Sequence, residues 1–163
     1  MKLFIAVISA FLFAAPFAPV HAQMAVPVTS ESRVDSVLSR ANDLVLNAMG
    51  FMGIPYKWGG TTPEAGFDCS GFVQFVFRQA TGMLLPRSSF DQVRHGISVT
   101  LDELQPGDLV FFNTMRASFS HVGIYIGENR FIHSPSRGRS VEIVDLTDAY
   151  WQKRYNGARR LSL

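Results

Sequence analysis

The pattern of apolar and polar positions divides the chain into a helical first half and a strand-rich second half. Apolar residues recur every three or four positions before residue 96, and shorter apolar runs bounded by turn residues follow. Helices are predicted over residues 30–49, 68–80, 88–95 and 147–155. Strands are predicted over residues 108–112, 121–126, 131–134, 141–144 and 158–163. Helices that precede antiparallel strands, rather than alternating with them, indicate an α+β domain.

The first residues are predicted to be a cleavable signal peptide. Lys2 precedes an apolar stretch that runs to about Phe17, and the residues that follow favour cleavage after Ala22. The stretch is too short for a comfortable membrane span. No cysteine near the cleavage site is present to carry a lipoprotein acyl chain. We therefore expect a periplasmic or secreted protein with no stable membrane anchor after signal cleavage.

The composition of the mature chain fits one globular domain. Hydrophobic residues make up 47% of the sequence and charged residues 17%, which is ample for a core. Signal cleavage removes one of the 15 basic residues and none of the 13 acidic ones, so the formal charge becomes +1. This small charge argues against a nucleic-acid partner. We expect a signal peptide over 1–22, a short leader over 23–30 and a single domain over 31–163, with the oligomeric state left open.

Cys69 is the only cysteine of this exported chain, so it has no internal disulfide partner. Asp68 directly before it is a good N-cap residue, which places the thiol in the first turn of the second predicted helix. The helix dipole and free N–H groups at that end favour a thiolate. Because thiolates are nucleophiles, Cys69 is the candidate catalytic nucleophile.

A cysteine nucleophile needs a base, and a further group that orients the base. Of the four histidines, His21 leaves with the signal peptide, and His95 is expected to play a structural role at a helix end. The candidates that remain are His121 as base and His133 as the residue that orients it. The alternative is that His133 has no catalytic role and is an ordinary half-buried histidine whose ring nitrogens are hydrogen-bonded by neighbouring groups.

The hairpin that carries both histidines allows a test of this assignment. Alternate residues of a strand share a face, so Gly123 lies on the face of His121. A simple two-residue turn at 128–129 would pair His133 with Ile124, on the opposite face. The catalytic hypothesis therefore requires an odd loop or a β-bulge in this hairpin.

Four further residues are candidates for the oxyanion or substrate site. Tyr56 precedes two glycines, and its phenol is expected to hold an oxyanion together with the Cys69 N–H. Asp68 and Ser70 flank the thiol; the capping role explains Asp68 fully, and a substrate contact stays open. Arg87 is expected either to bind a substrate carboxylate or to cap a neighbouring loop. The nearby Trp58 is expected simply to pack.

Taken together, these motifs resemble the NlpC family of bacterial cell-wall cysteine peptidases. The resemblance runs from about Ala41 to Leu163, and the C-terminal segment is similar to the Spr-type murein endopeptidases in particular. The motifs that carry it, in chain order, are PYKWGG (55–60), FDCSGFV (67–73), LPRS (85–88), PGDLVFF (106–112), HVGIYIG (121–127), FIH (131–133) and YWQKRYN (150–156).

The resemblance implies a papain-like α+β core, with the nucleophile helix packed on an antiparallel sheet. It implies Cys69 as nucleophile, His121 as base and His133 as third residue, with Tyr56 at the place of the family's active-site tyrosine. It further implies hydrolysis of a peptide bond in peptidoglycan stem peptides without a cofactor. The Spr-type proteins are lipoproteins, and this chain departs from them because it lacks the lipid-bearing cysteine. Which stem-peptide bond is cut stays open.

Two other functions fit the same residues. A zinc hydrolase would use Cys69, His121 and His133 as ligands, although the sequence has no close ligand pair of the usual kind. A non-catalytic peptidoglycan-binding domain would keep the fold and lose the chemistry.

Overall fold

The structure, a computed structural model, describes residues 30–115 and 117–163, with side chains described from residue 35 onward. The predicted signal peptide lies outside the described residues, as does the predicted leader apart from Ser30, which already belongs to a helix. The helices are α1 Ser30–Met49, α2 Cys69–Thr81, α3 Ser89–Gln92 and α4 Ala149–Gln152, with a 3₁₀ turn at Leu101–Glu103. The strands are β1 Thr61–Thr62, β2 Gly66–Phe67, β3 Ile97–Val99, β4 Leu109–Phe112, β5 His121–Gly127, β6 Arg130–His133, β7 Glu142–Asp145 and β8 Tyr155–Arg160.

Six strands form one antiparallel sheet in the order β3-β8-β4-β5-β6-β7, and β1 pairs with β2 in a small separate ribbon. Successive side chains of a strand point to opposite faces of the sheet, so each face packs into its own hydrophobic cluster. Val122 and Ile124 belong to the cluster that packs against α1 and α2, whereas Tyr125 belongs to a second cluster around Trp151 of α4. The sequence-based prediction of an α+β domain is confirmed. No helix of the described part of the chain has the length and apolarity needed to cross a bilayer.

The two long helices match the sequence pattern. α1 has the predicted bounds, and α2 runs one residue beyond the prediction. Asp68 is the N-cap of α2, and Gly82 ends the helix with a φ of 75°, a left-handed conformation that glycine adopts without strain. Among the side chains described, from residue 35 onward, the predicted apolar face of α1 is buried only toward its C-terminal end: Leu44 is inaccessible to solvent, whereas Leu38 is 54% exposed.

The short elements were predicted less well. The helix predicted over 88–95 ends at Gln92, and β8 begins at Tyr155 rather than at residue 158. No local pattern predicts β1, β2 or β3, which have two or three residues each. Strands this short have no periodicity of their own, because they are defined by pairing with partners far away in the sequence.

The hairpin of β5 and β6 contains the β-bulge that the catalytic hypothesis requires. The pairs run Ile124↔Ile132, Tyr125↔Phe131 and then Gly127↔Arg130, so the register shifts at the turn end of the hairpin. The two-residue turn has positive φ at both positions, as in a type I′ hairpin. The shift brings His133 to the face of His121, and a Cβ placed on Gly123 would lie 3.2 Å from His133 Cβ.

Candidate active site

Asp68 fixes the position of the candidate nucleophile. Its Oδ1 accepts a hydrogen bond from Gly71 N (2.8 Å), which caps α2 and makes Cys69 the first helical residue. Its Oδ2 accepts from Gly59 N (2.9 Å), which ties the glycine loop to the helix. The glycine loop packs so closely on the first turn of the helix that a Cβ on Gly71 would lie 2.1 Å from Gly60 O. The loop that carries Tyr56 is thereby held beside Cys69.

Arg87 is hydrogen-bonded to the carboxylate of Asp68 as well. Its Nη1 donates to Asp68 Oδ1 (3.0 Å) and to Ser70 Oγ (2.9 Å), and its Nη2 donates to Asp68 Oδ2. The hydrogen bonds to Asp68 raise the pKa of the Arg87 guanidinium above its usual value. The Arg87 side chain is still 42% exposed and lines the cleft above Cys69. These partners are the N-cap and the first turn of α2, and the exposed side of Arg87 remains available to a ligand.

The two histidines are hydrogen-bonded to each other. His121 Nε2 lies 2.7 Å from His133 Nδ1, and both side chains are buried. Trp151 of α4 stacks on the His121 ring at 5.7 Å between centroids and meets the His133 ring edge-on at 5.0 Å. The pair is therefore held in one geometry by aromatic contacts. His121 Nδ1 is left as the ring nitrogen that is able to exchange a proton with a substrate or a thiol.

The thiol and the imidazole lie in one cleft, and burial keeps both of them neutral. Cys69 and His121 line a cavity of about 960 Å³. Burial, aided by the Asp68 carboxylate, raises the pKa of the Cys69 thiol to about 11, although the N–H groups of Val122, Ser70 and Cys69 itself lower it. Burial lowers the pKa of His121 to about 4. The N–H groups at the helix start thus favour the thiolate as expected, but desolvation outweighs them in the free protein.

This burial predicts an acid-sensitive fold. The folded-state pKa of His121 (about 4) lies below its ordinary value of 6.5, so the unfolded state binds more protons between these values. We expect the titration of His121 alone to lower the free energy of unfolding by about 3 kcal/mol as the pH drops from 7 to 4, measured by urea denaturation, and His133 to add a fall in the same direction. The variant H121Q should lose the part of this slope that His121 contributes, whereas His133, whose pKa burial also lowers, should keep its own part. The control H95Q, which changes an exposed histidine, should keep it. An H121Q slope equal to that of the unmodified protein would contradict the prediction.

Tyr56 lines the same cleft and remains a hydrogen-bond donor. Its backbone N donates to Arg139 O (2.9 Å), and Tyr56 pairs with Phe67 in an isolated bridge. Burial raises the pKa of the phenol above its usual value, and the charges of Cys69, once it is ionised at high pH, and of Asp68 add to this effect. The protonated hydroxyl is thus retained at neutral pH, as a donor to an oxyanion requires.

Exposed apolar side chains form the rim of the cleft. They are Trp58, Phe90, Met115 and Tyr150. The expectation that Trp58 simply packs is wrong, because the side chain is 68% exposed. The loop to which it belongs is held through Gly59, so its backbone is fixed while the indole faces solvent.

Three residues around the site were not recognised in the sequence. Trp151 encloses the histidine pair. The buried Gln92 donates through Nε2 to Ser70 O (3.1 Å) and Pro86 O (2.9 Å), which fastens α3 to the start of α2. Glu142 lies opposite His133 in the β6–β7 ladder. No local pattern marks these residues, because each reaches the site through pairing or packing with distant elements.

The described residues contain no group of three His, Cys, Asp or Glu side chains placed to hold a metal ion. The facing nitrogens of His121 and His133 are bonded to each other at 2.7 Å, and they are therefore not free as two ligands of one metal. The geometry gives the zinc alternative no support.

Comparison with known proteins gives concordant matches. The model of the NlpC/P60 family matches residues 53–160. The gamma-DL-glutamyl hydrolase of Bacillus subtilis is 47% identical over 118 residues, which cover 72% of this chain and 28% of that protein. The murein DD-endopeptidase MepH of Escherichia coli is 39% identical over 128 residues, covering 76% of this chain and 47% of the relative. The chain thus spans less than half the length of these two relatives.

Solved structures agree in fold. An NlpC/P60 family protein from Bacillus cereus matches with a TM-score of 0.69 and 43% identity, over 74% of this chain and 39% of that one. The NlpC/P60 domain of the peptidoglycan hydrolase SagA matches with a TM-score of 0.65 and 31% identity, over 74% of this chain and 98% of that one. These domains have the papain-like fold, in agreement with the fold class implied by the sequence.

Proposed function

The chain belongs to the NlpC/P60 family, and from this membership and the geometry of the cleft we propose that it is a cysteine peptidase that hydrolyses peptide bonds in peptidoglycan. The observation that carries the proposal is the arrangement of three side chains. Cys69 begins a capped helix in the cleft that His121 also lines, and the far nitrogen of His121 is bonded to His133. Nucleophile, base and orienting group are the parts that acyl transfer requires.

The neutral resting state determines how the nucleophile is activated. Because the thiol and His121 are both uncharged at neutral pH, no ion pair is stored in the free enzyme. His121 Nδ1 takes the thiol proton as Cys69 Sγ attacks the scissile carbonyl carbon. The Cys69 N–H and the Tyr56 hydroxyl stabilise the negative charge that develops on the carbonyl oxygen.

The remaining steps pass this proton to the leaving group and restore the thiol with a proton from water. His121 donates it to the leaving amine, the C–N bond breaks, and an acyl group stays on Cys69 as a thioester. A water molecule then gives a proton to His121 and attacks the thioester. The acid product leaves, and the proton on His121 restores the thiol. His133 orients His121 throughout, and no step calls for a cofactor.

The shape and charge of the cleft suit a peptide. A volume of about 960 Å³ accommodates several residues, and Arg87 and Arg139 on its wall offer positive charge to carboxylates of stem peptides. The predicted signal peptide supports a site of action in the periplasm or outside the cell. Peptidoglycan stem peptides are thus the proposed partner.

Incubation of the purified mature chain with isolated sacculi and with crosslinked muropeptides tests this function. We expect mass spectrometry to find fragments that have gained one water per cleaved amide bond, and their masses identify the bond. Since one relative is named a DD-endopeptidase and another a gamma-DL-glutamyl hydrolase, a gamma-glutamyl peptide forms a second substrate arm. Retention of the chain on sacculi without any cleavage would refute the enzymatic proposal and favour the binding domain.

A further inference from the structure

The second ring nitrogen of His133 faces a carboxylate to which the proposed mechanism gives no role. His133 and Glu142 are paired directly in the β6–β7 ladder. His133 Nε2 lies 3.6 Å from Glu142 Oε1. His133 Nε2 is buried without a hydrogen-bond partner among the described residues, whereas the buried Glu142 Oε1 is paired with Arg139. A buried ring nitrogen without a partner is rare, and one that faces a carboxylate calls for an explanation.

The proposed chemistry fixes the protons on the histidine pair. For His121 to accept the thiol proton, its Nδ1 must carry the lone pair, and the ring proton must lie on Nε2. That Nε2–H then donates across 2.7 Å to His133 Nδ1. His133 in turn carries its own proton on Nε2, where an acceptor is required.

The opposite arrangement would disable the base. In that case His133 Nδ1–H donates to His121 Nε2, and His121 presents an N–H to Cys69 instead of a lone pair. Two neutral imidazoles do not by themselves favour either arrangement, so the acceptor beyond His133 decides between them. The only carboxylate that the described structure places there is Glu142.

We propose that Glu142 is a positioning residue that holds the His121–His133 pair in the base-competent proton arrangement. This inference rests on the proposed function and extends the triad to a relay of four residues. A distance of 3.6 Å is too long for a hydrogen bond, and contacts of this kind tighten when charge develops in the reacting complex. The carboxylate then stabilises the imidazolium that forms as the thiol loses its proton.

Arg139 holds the carboxylate in place. Its Nη2 forms an ion pair with Glu142 Oε1 (2.5 Å), and Arg139 also lines the cleft. The charged or titratable groups that face His133 are His121 from β5, Glu142 from β7 and Arg139 from the preceding loop, whereas Phe131 and Trp151 enclose it with aromatic surface.

Two variants separate the acceptor from its charge. E142L removes both the hydrogen-bond acceptor and its charge. We expect ¹⁵N NMR of the imidazoles to show that His121 becomes protonated at Nδ1, and we expect kcat to fall roughly 100-fold. E142Q keeps an oxygen in place without the charge, and we expect it to retain the original tautomers with kcat lowered roughly tenfold. KM should change less than about twofold in both, because Glu142 is not among the described residues that line the cleft. The control E128Q changes an exposed carboxylate at the hairpin turn and should leave tautomers and kcat unaltered.

The outcomes are decisive in either direction. Unchanged tautomers in a folded E142L would overturn the proposal even if its activity fell, since that loss would be structural. If E142L does not fold, a wild-type kcat in E142Q would overturn it. The tautomers are measured in the free protein without substrate, so an error in the proposed substrate class leaves this test intact.

Discussion

Replacing Cys69 with alanine is expected to lower kcat on crosslinked muropeptides by at least roughly 10⁴-fold. The loss is this large because the sulfur atom makes and breaks the covalent bond, and no other group is able to take over that role. The described structure places no other thiol in the cleft, and the sequence has none elsewhere. Muropeptide release quantified by chromatography and mass spectrometry measures the effect.

The lone cysteine provides a second, chemical form of the same test. Iodoacetamide has one thiol to alkylate, so complete labelling of the unmodified protein should match the activity loss of C69A. Circular dichroism of C69A should remain that of the folded protein, because the alanine lies at a capped helix end. Full activity after complete alkylation would refute a cysteine mechanism.

Replacing Asp68 with alanine is expected to lower the free energy of unfolding by about 2 to 3 kcal/mol. The change removes the N-cap of α2, typically about 1 kcal/mol, and it also leaves Arg87 without the carboxylate that it contacts. The 42% exposure of Arg87 limits this second contribution, since water replaces part of the lost interaction. Because Asp68 also accepts from Gly59 N, the loop of Tyr56 should loosen, and kcat should fall as well.

A matched capping residue isolates the effect. Asp148 caps α4 through one hydrogen bond from Tyr150 N (2.8 Å) at an exposed position. We expect D148A to cost about 1 kcal/mol or less in urea denaturation. Equal losses of stability in D68A and D148A would show that the contacts with Arg87 and Gly59 contribute nothing.

The nucleophile helix was predictable because its determinants are local. An N-cap, a helical apolar face and a terminal glycine lie within fifteen positions of one another, from Asp68 to Gly82. Each acts on its own neighbours, so the sequence alone locates Cys69 at a helix start. The ionisation of the thiol was not predictable, because burial by distant elements reverses the preference of the helix end.

The arrangement of the histidine pair was predictable from the sequence only in part. Strand alternation shows that His121 and His133 share a face only if the hairpin register shifts, and this condition follows from the sequence. Whether the shift occurs is decided by the pairing of β5 with β6, where the register changes between Tyr125 and Gly127. The exposed Trp58 was misjudged for a related reason, since its exposure depends on how the loop is held against α2.

The sequence by itself thus determined the α+β class, the helix that begins at Cys69 and the two histidines that could act with it, whereas export stays a prediction. These follow from composition, periodicity and capping, which are properties of neighbouring residues. Only the tertiary structure decided the bulge that joins the histidines, the burial that keeps thiol and imidazole neutral, and the place of Glu142 behind His133. Each of these depends on contacts between segments distant in the chain, and no local pattern specifies such contacts.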